Sequence, residues 1–219
     1  MSKKQLILIN IFFILISSFN YLNAETKDDS RIILKSISER YKALGSWSAE
    51  IFQTNENRIS GKSKPKLGSF VFVLPNKFRF EIKDKPRSIF ISDGITAKIQ
   101  QFDINNKKPT PRNLGKISNL DLSRFLLILK GLDIEDTKKW EQFKKDFTFR
   151  GIKKSELITL WLKPKFDTDI STIEFNFKNN ELAPKRLMIT FHSGTKNIID
   201  IIKWKKIKSQ PKNMLNFSQ

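Results

Sequence analysis

The chain has 219 residues, a formal net charge of +19, 19 phenylalanines and a single histidine, but no cysteine. The lack of cysteine excludes disulfides, thiolate metal sites, a cysteine nucleophile and an acylated N-terminal cysteine. One histidine also excludes a histidine-rich zinc site, and the length fits one domain.

The N-terminal segment is typical of a secretory signal. Lys3 and Lys4 precede an almost unbroken apolar run over residues 6–19, and Ala24 is a small residue suited to a cleavage point. An uncleaved anchor is the alternative, but the run is shorter than the about 20 apolar residues that a membrane helix needs. We therefore expect a signal peptide over residues 1–24, one mature domain over residues 25–219, and a periplasmic location in a Gram-negative envelope.

A helix is predicted over residues 28–44. Ile33, Ile37, Tyr41 and Leu44 recur at spacings of four, four and three, which places them on one helical stripe. Gly45 follows as a C-terminal cap.

Alternating apolar residues then predict a series of strands and hairpins. A basic loop is expected over residues 55–66, and a polar, proline-bearing loop over residues 105–113. The apolar strand faces of this first half are Trp47, Ala49 and Ile51; Phe70, Phe72 and Leu74; Phe78, Phe80 and Ile82; Ile89 and Ile91; and Ile95, Ala97 and Ile99.

A second helix is predicted over residues 121–131, and it is apolar on nearly every side. A surface helix normally has only one apolar stripe. This helix is therefore either deeply buried or the cover of something apolar, and we expect it to act as a mobile lid with Leu122, Phe125, Leu126 and Leu129 turned inward.

The second half again predicts strands, preceded by a turn or short helix around Trp140 and Phe143. Segments 147–152, 157–162, 172–178 and 186–191 and a last strand containing Ile199 and Ile201 follow at hairpin spacing. The expected fold class is mainly β with helices, in which a strongly curved antiparallel sheet or partial barrel is covered by the helices. Such barrels can hold a ligand.

The sequence lacks the recognisable constellations of an enzyme. His192 lies at a strand end and is expected to be exposed, and neither a Gly-x-Ser-x-Gly elbow nor a Gly-x-Gly-x-x-Gly loop is present. We expect no catalysis, cofactor or metal. Each phenylalanine taken alone is best explained by an ordinary aromatic core. Taken together with the apolar helix, the phenylalanines make a lipid-binding cavity an alternative of comparable weight.

Several short motifs carry a resemblance that covers nearly the whole mature chain. They are Ala-Glu-Ile-Phe-Gln at 49–53, Gly-Ser-Phe at 68–70, Leu-Pro-Asn-Lys-Phe-Arg-Phe at 74–80, Ser-Ile-Phe-Ile-Ser-Asp-Gly at 88–94, Leu-Trp-Leu-Lys-Pro-Lys at 160–165 and the hairpin over 175–191. In this order and spacing they resemble the LolA family of periplasmic outer-membrane lipoprotein carriers, with its LolA/LolB-like fold.

The resemblance implies an unclosed antiparallel β-barrel with an N-terminal helix and a lid helix over an apolar cavity. It implies a soluble, monomeric chaperone that takes lipoprotein acyl chains from an inner-membrane lipoprotein-releasing ABC transporter to an outer-membrane acceptor lipoprotein. It also implies transient contact with the membrane surface and no binding of nucleic acid. The alternatives are a lipid-binding sensor or adaptor of envelope stress and a carrier of another lipid. The high positive charge is also consistent with an exported protein that binds polyanions. Compositional drift, with no function for the charge, is the other explanation.

The expected ligand-binding residues follow from the strand faces, the lid and the resemblance. One departure concerns Leu74, since the family often has an arginine at this position that bonds to the lid backbone, and leucine cannot donate. The predicted cavity and lid residues are Ile51, Phe70, Phe72, Leu74, Phe78, Phe80, Ile89, Ile91, Leu122, Phe125, Leu126, Leu129, Phe175 and Phe177.

Overall fold

The computed structural model describes residues 27–102, 111–116 and 134–216. This part of the chain forms two helices, α1 (Lys27–Leu44) and α2 (Thr137–Asp146). The twelve strands are β1 (Trp47–Asn57), β2 (Gly61–Lys62), β3 (Lys66–Val73), β4 (Lys77–Ile82), β5 (Ser88–Ser92), β6 (Thr96–Gln101), β7 (Arg112–Lys116), β8 (Phe147–Lys154), β9 (Leu157–Pro164), β10 (Ile170–Lys178), β11 (Arg186–Phe191) and β12 (Lys196–Lys206).

All the strands belong to one antiparallel, 12-stranded sheet. Its order is β7-β6-β5-β4-β3-β1-β12-β11-β10-β9-β8, with β2 paired to β1 outside this path. Within the described ranges, β7 and β8 end the path without pairing to each other. The sheet is therefore curved but not closed, which confirms the predicted fold class.

The first and last strands lie side by side at the centre of the sheet. The pairing of β1 with β12 runs from Trp47 opposite Lys206 to Glu56 opposite Lys196, and its register shifts between Glu50 and Ile51. A bulge of this kind bends a strand and increases its twist. The two longest strands thus carry the curvature that gives the sheet a concave face.

Helix α1 packs on the concave face over the β8–β9 end of the sheet. Its predicted stripe is buried, with Ile37 and Leu44 fully enclosed. The backbone N–H of Gly151 in β8 donates to the Ser30 hydroxyl at 3.0 Å. A Cβ at Gly151 would lie only 2.7 Å from Cγ2 of Ile33, so glycine is what allows helix and strand to approach this closely.

Helix α2 shows that, of the turn or short helix expected around Trp140 and Phe143, the helix forms. The Asp136 carboxylate accepts a hydrogen bond from the backbone N–H of Lys139 at 3.1 Å and caps the helix start. Trp140 and Phe143 are buried on one face, with ring centroids 5.9 Å apart. The helix therefore closes an aromatic cluster at the start of β8.

The C-terminal segment after β12 covers part of the convex face. Met214 is buried there, and Arg79 on β4 donates to the carbonyl of Asn216 at 2.5 Å. Glu81 is also buried and receives hydrogen bonds from Arg79 at 2.7 Å and Arg87 at 2.6 Å. Burial raises the pKa of Glu81, but the bonds from the two arginines outweigh it, so the pKa lies below its usual value.

Two loop predictions are wrong in part. The expected loop over residues 55–66 contains the end of β1 and the short strand β2, which pair as a hairpin. The expected loop over residues 105–113 overlaps β7, which pairs with β6. Both strands are short and polar, and most of their residues are exposed, so no apolar alternation marks them.

The expected signal peptide over residues 1–24 lies outside the described residues. Neither α1 nor α2 has the length and apolarity that a membrane crossing requires. The single mature domain over residues 25–219 stays a prediction.

Candidate functional site

The concave face is built from strand positions that alternate with the convex face. Cross-strand pairing places Phe72 opposite Phe78 and Phe70 opposite Phe80, and Phe80 in turn lies opposite Phe90. Since side chains directly opposite in an antiparallel pair share a face, this pairing lays one aromatic surface across β3, β4 and β5. Phe78 and Phe90 stack with their centroids 5.3 Å apart.

The other half of the concave face comes from β10, β11 and β12. Register places Ile51 of β1 opposite Ile201, and Ile199 opposite Leu187. Leu187 lies opposite Phe175 of β10. The aliphatic half therefore joins the aromatic half at the central strand β1.

Between these halves lies an open cavity of about 500 Å³. This volume falls within the range of about 300–1,000 Å³ typical of sites for small ligands. Its walls are almost wholly apolar, and they combine α1 with the strands on both sides of β1. The lining residues are Tyr41, Trp47, Ile51, Gln53, Phe70, Phe78, Phe80, Ser88, Phe90, Ile99, Phe175, Pro184, Leu187, Ile189, Asn197, Ile199 and Ile201.

No ionisable carboxylate, lysine, arginine or histidine stands among those lining residues. The Tyr41 phenol is fully enclosed, and burial raises its pKa, so it stays neutral at physiological pH. An uncharged, mostly apolar wall of this kind can hide alkyl chains from water.

Five of the predicted site residues are brought together on the cavity wall. They are Ile51, Phe70, Phe78, Phe80 and Phe175. Four others, Leu122, Phe125, Leu126 and Leu129, lie outside the described residues, so the predicted lid stays a prediction.

The remaining predicted residues lie elsewhere. Phe72 and Phe177 point to the concave side but are fully buried in the core, and Phe177 packs edge-on against Tyr41 at 5.9 Å. Ile89 and Ile91 are buried on the opposite, convex face, because Phe90 between them takes the cavity side. Leu74 follows the end of β3 and is 45% exposed.

The sequence analysis did not assign several lining residues to the site. Trp47, Ile199 and Ile201 were placed in predicted strands, but alternation does not show which strands meet. Leu187 and Ile189 lie within the strand predicted over residues 186–191. Tyr41 was assigned to the helical stripe. The missing information is the β1–β12 pairing, which joins distant parts of the chain.

The single histidine and the acidic side chains were compared with the needs of a metal site. His192 is exposed in the turn after β11. Over residues 27–102, 111–116 and 134–216, no cluster of three or more acidic or histidine side chains has the arrangement of a metal site.

Comparison with known proteins gives one family match. The family model described as "Outer membrane lipoprotein carrier protein LolA" matches residues 43–218. No curated protein matches the chain.

Several solved structures are similar in shape. An outer membrane lipoprotein-sorting protein domain from Vibrio parahaemolyticus has 10% identity and a TM-score of 0.45, over 87% of this chain and 97% of that one. A LolA superfamily protein from Nitrosomonas europaea has 9% identity and a TM-score of 0.45, over 85% and 97%. MucB has 10% identity and a TM-score of 0.42, over 88% of this chain and 64% of its own.

Proposed function

This chain belongs to the outer membrane lipoprotein carrier protein LolA family, and we propose that it is a soluble periplasmic chaperone for lipoproteins. In this role it shields the acyl chains of a lipoprotein and carries them from the inner to the outer membrane. The acyl chains are held by burial, so holding them requires neither a catalytic group nor a cofactor.

The observation that carries this proposal is the uncharged, apolar cavity of about 500 Å³ on the concave face. Each methylene group that moves from water into such a site contributes about 0.8 kcal/mol. One long alkyl chain therefore provides ample binding energy without any specific polar contact. The same burial opposes spontaneous escape, so release requires a competing acceptor or an opening of the site.

The proposal includes partners on both membranes. An inner-membrane lipoprotein-releasing ABC transporter would load the carrier, and an outer-membrane acceptor lipoprotein would unload it during transient contact with the membrane surface. We further propose that residues 25–219 act as one exported, monomeric domain, and that the helix predicted over residues 121–131 covers the loaded cavity.

A release assay tests this function. Spheroplasts that display a newly made lipoprotein are incubated with the mature protein, and the medium is analysed for a soluble complex of the two. The expected result is a one-to-one complex with the acylated lipoprotein and none with the same cargo lacking its acylated cysteine. Equal capture of both forms, or capture of neither, contradicts the proposal.

A second step separates a carrier from a lipid-binding sensor. The loaded complex is mixed with vesicles that bear the acceptor lipoprotein. Transfer of the cargo to these vesicles supports carriage, whereas binding without transfer supports the sensor alternative.

A further inference from the structure

A second cavity adjoins the apolar one and has a different chemistry. Its volume is also about 500 Å³, and Gln53 and Ser88 line both cavities as a common boundary. We call it the polar chamber; besides the two boundary residues, its polar lining side chains are Asn55, Ser63, Lys66, Arg87 and Gln101.

The polar chamber lies along the same strands as the apolar cavity. In β1 the concave positions change from Ile51 to Gln53 and Asn55, and Lys66 lies opposite Gln53 at the start of β3. In β5 the concave position Ser88 follows directly after Arg87. The concave face therefore changes from apolar to polar along the strand axis. Because a strand rises about 3.4 Å per residue, the change takes place within a few residues.

The charges of the polar chamber favour an anion. Two cations, Lys66 and Arg87, belong to its lining, and the described lining contains no carboxylate. The acidic side chain nearest to Arg87 in sequence is that of Asp84. It is exposed, is not among the described lining residues, and accepts a hydrogen bond from the backbone N–H of Leu67 at 2.6 Å.

Arg87 is held in place by two contacts. It donates to Glu81 from Nε at 3.0 Å and from Nη2 at 2.6 Å, and its guanidinium lies 5.0 Å from the centre of the Phe102 ring. Glu81 is shared with Arg79, so one carboxylate balances two guanidinium groups and the cluster keeps a net positive charge. Glu81 lies opposite Ile89 on the convex side of the sheet, whereas the half-buried Lys66 lies opposite Gln53 and brings its positive charge to the concave side.

We propose that the polar chamber binds the phosphate-bearing head group of an amphiphile whose acyl chain occupies the apolar cavity. The inference rests on the proposed function and deepens it, since it assigns to the carrier an anionic acyl lipid as ligand. Hydrogen bonds from charged donors to phosphate are stronger than those between neutral groups. The amide and hydroxyl groups of Gln53, Asn55 and Ser63 provide further polar partners for the head group.

Competition binding tests the proposal with two matched lipids. Palmitoyl lysophosphatidylglycerol and monopalmitoyl glycerol have the same acyl chain, but only the first has a phosphate. Each displaces a fluorescent fatty-acid probe from the mature protein. We expect the phosphate lipid to bind about tenfold more tightly, which corresponds to about 1.4 kcal/mol, and we expect this preference to shrink as salt screens the charges.

Two lysine variants separate the polar chamber from general surface charge. Lys66→Gln removes one of the two cations that line the chamber, whereas Lys64→Gln removes an exposed lysine two residues earlier that is not among the described lining residues. The preference should fall to about twofold or less in Lys66→Gln and stay near tenfold in Lys64→Gln, in line with the net worth of one charged hydrogen bond. Binding of monopalmitoyl glycerol should be the same in both variants.

Each other outcome has a defined meaning. Equal binding of the two lipids by the parent protein, or equal loss of preference in both variants, overturns the head-group assignment and leaves the apolar cavity intact. Displacement by neither lipid contradicts the proposed function itself. Glycerol 3-phosphate is the control that has the phosphate head group but no acyl chain. If it binds as tightly as the phosphate lipid, the polar chamber is a site for free phosphate esters and the inference is wrong.

Discussion

Replacing Phe80 by glutamate places one negative charge on the wall of the apolar cavity. Phe80 lies on β4 with Phe70 and Phe90 opposite it on the neighbouring strands, and it is half-buried. None of the described residues that line this cavity is a cation, so the new carboxylate would have no charged partner among them. Because Phe80 is not fully enclosed, the fold should tolerate the change better than it would at Phe78, which is 3% exposed.

The magnitude follows from the cost of leaving a polar group unpaired. A buried polar group without a partner costs about 1–3 kcal/mol, which equals about 5- to 150-fold in affinity. A bound alkyl chain would bury the glutamate at position 80, so acyl binding should weaken by this factor at pH 7. Burial also raises the pKa of a carboxyl group. Lowering the pH from 7 to 5 should therefore protonate the glutamate in part and restore part of the affinity.

Phe52→Glu is the matched control for this prediction. Phe52 lies on the convex face of β1 and is 41% exposed, so the same chemical change leaves the cavity untouched. Titration with a fluorescent fatty acid, alongside thermal melting, should show weak and pH-dependent binding for Phe80→Glu only. Parent-like affinity of Phe80→Glu at pH 7 would refute the assignment of the cavity as the acyl site.

Three further predictions concern the scaffold. Gly151→Ala should lower the free energy of unfolding by about 1–3 kcal/mol in urea, because the new methyl group meets Ile33 at 2.7 Å; an unchanged midpoint would show that α1 moves freely on β8. The pKa of Glu81 is lower in the folded protein than its ordinary value of 4.5, so the parent should begin to lose stability as the pH falls below about 4.5. Glu81→Gln should be less stable than the parent at pH 7 and should lose less stability in acid. Identical pH profiles of the two proteins would contradict this. Leu74→Arg should change the free energy of unfolding by less than about 0.5 kcal/mol, because Leu74 is 45% exposed. If an arginine at this position latches the lid, the variant should also take up the probe more slowly. A loss of uptake in proportion to a lowered melting temperature would argue against a latch.

Local patterns were enough to predict the secondary structure of most elements. The four-four-three spacing from Ile33 to Leu44 predicts α1 because helical periodicity alone decides which residues share a face. Likewise, Phe78, Phe80 and Ile82 alternate with charged residues and predict β4, which the structure confirms.

The assignment of faces failed where both sides of a strand are apolar. In β5, Ile89, Phe90 and Ile91 are all apolar, so alternation cannot identify the cavity side. The pairing of Phe90 with Phe80 decides it. Leu74 follows Phe70 and Phe72 at spacings of two residues, which predicts the same face of the strand. However, β3 ends at Val73, so the position of Leu74 is not set by the alternation of the strand.

The site as a whole depends on contacts between distant parts of the chain. Trp47 begins β1 and Ile201 lies in β12, yet both line the cavity because these strands pair at the centre of the sheet. Pairing over such a distance is set by the total packing of the sheet and not by any local pattern. The polar chamber was also missed, since its two cations come from different places in the meander: Lys66 begins β3 and Arg87 precedes β5.

Native mass spectrometry of the mature protein, purified gently from a periplasmic extract, tests the central claim most directly. Lipids and lipoproteins that stay bound are released in the gas phase and identified by fragmentation, with Phe80→Glu purified in parallel. We predict one acyl-bearing molecule per protein in the parent and a strongly reduced fraction in the variant. A parent protein that carries no acylated molecule, or one retained equally by the variant, would contradict the account.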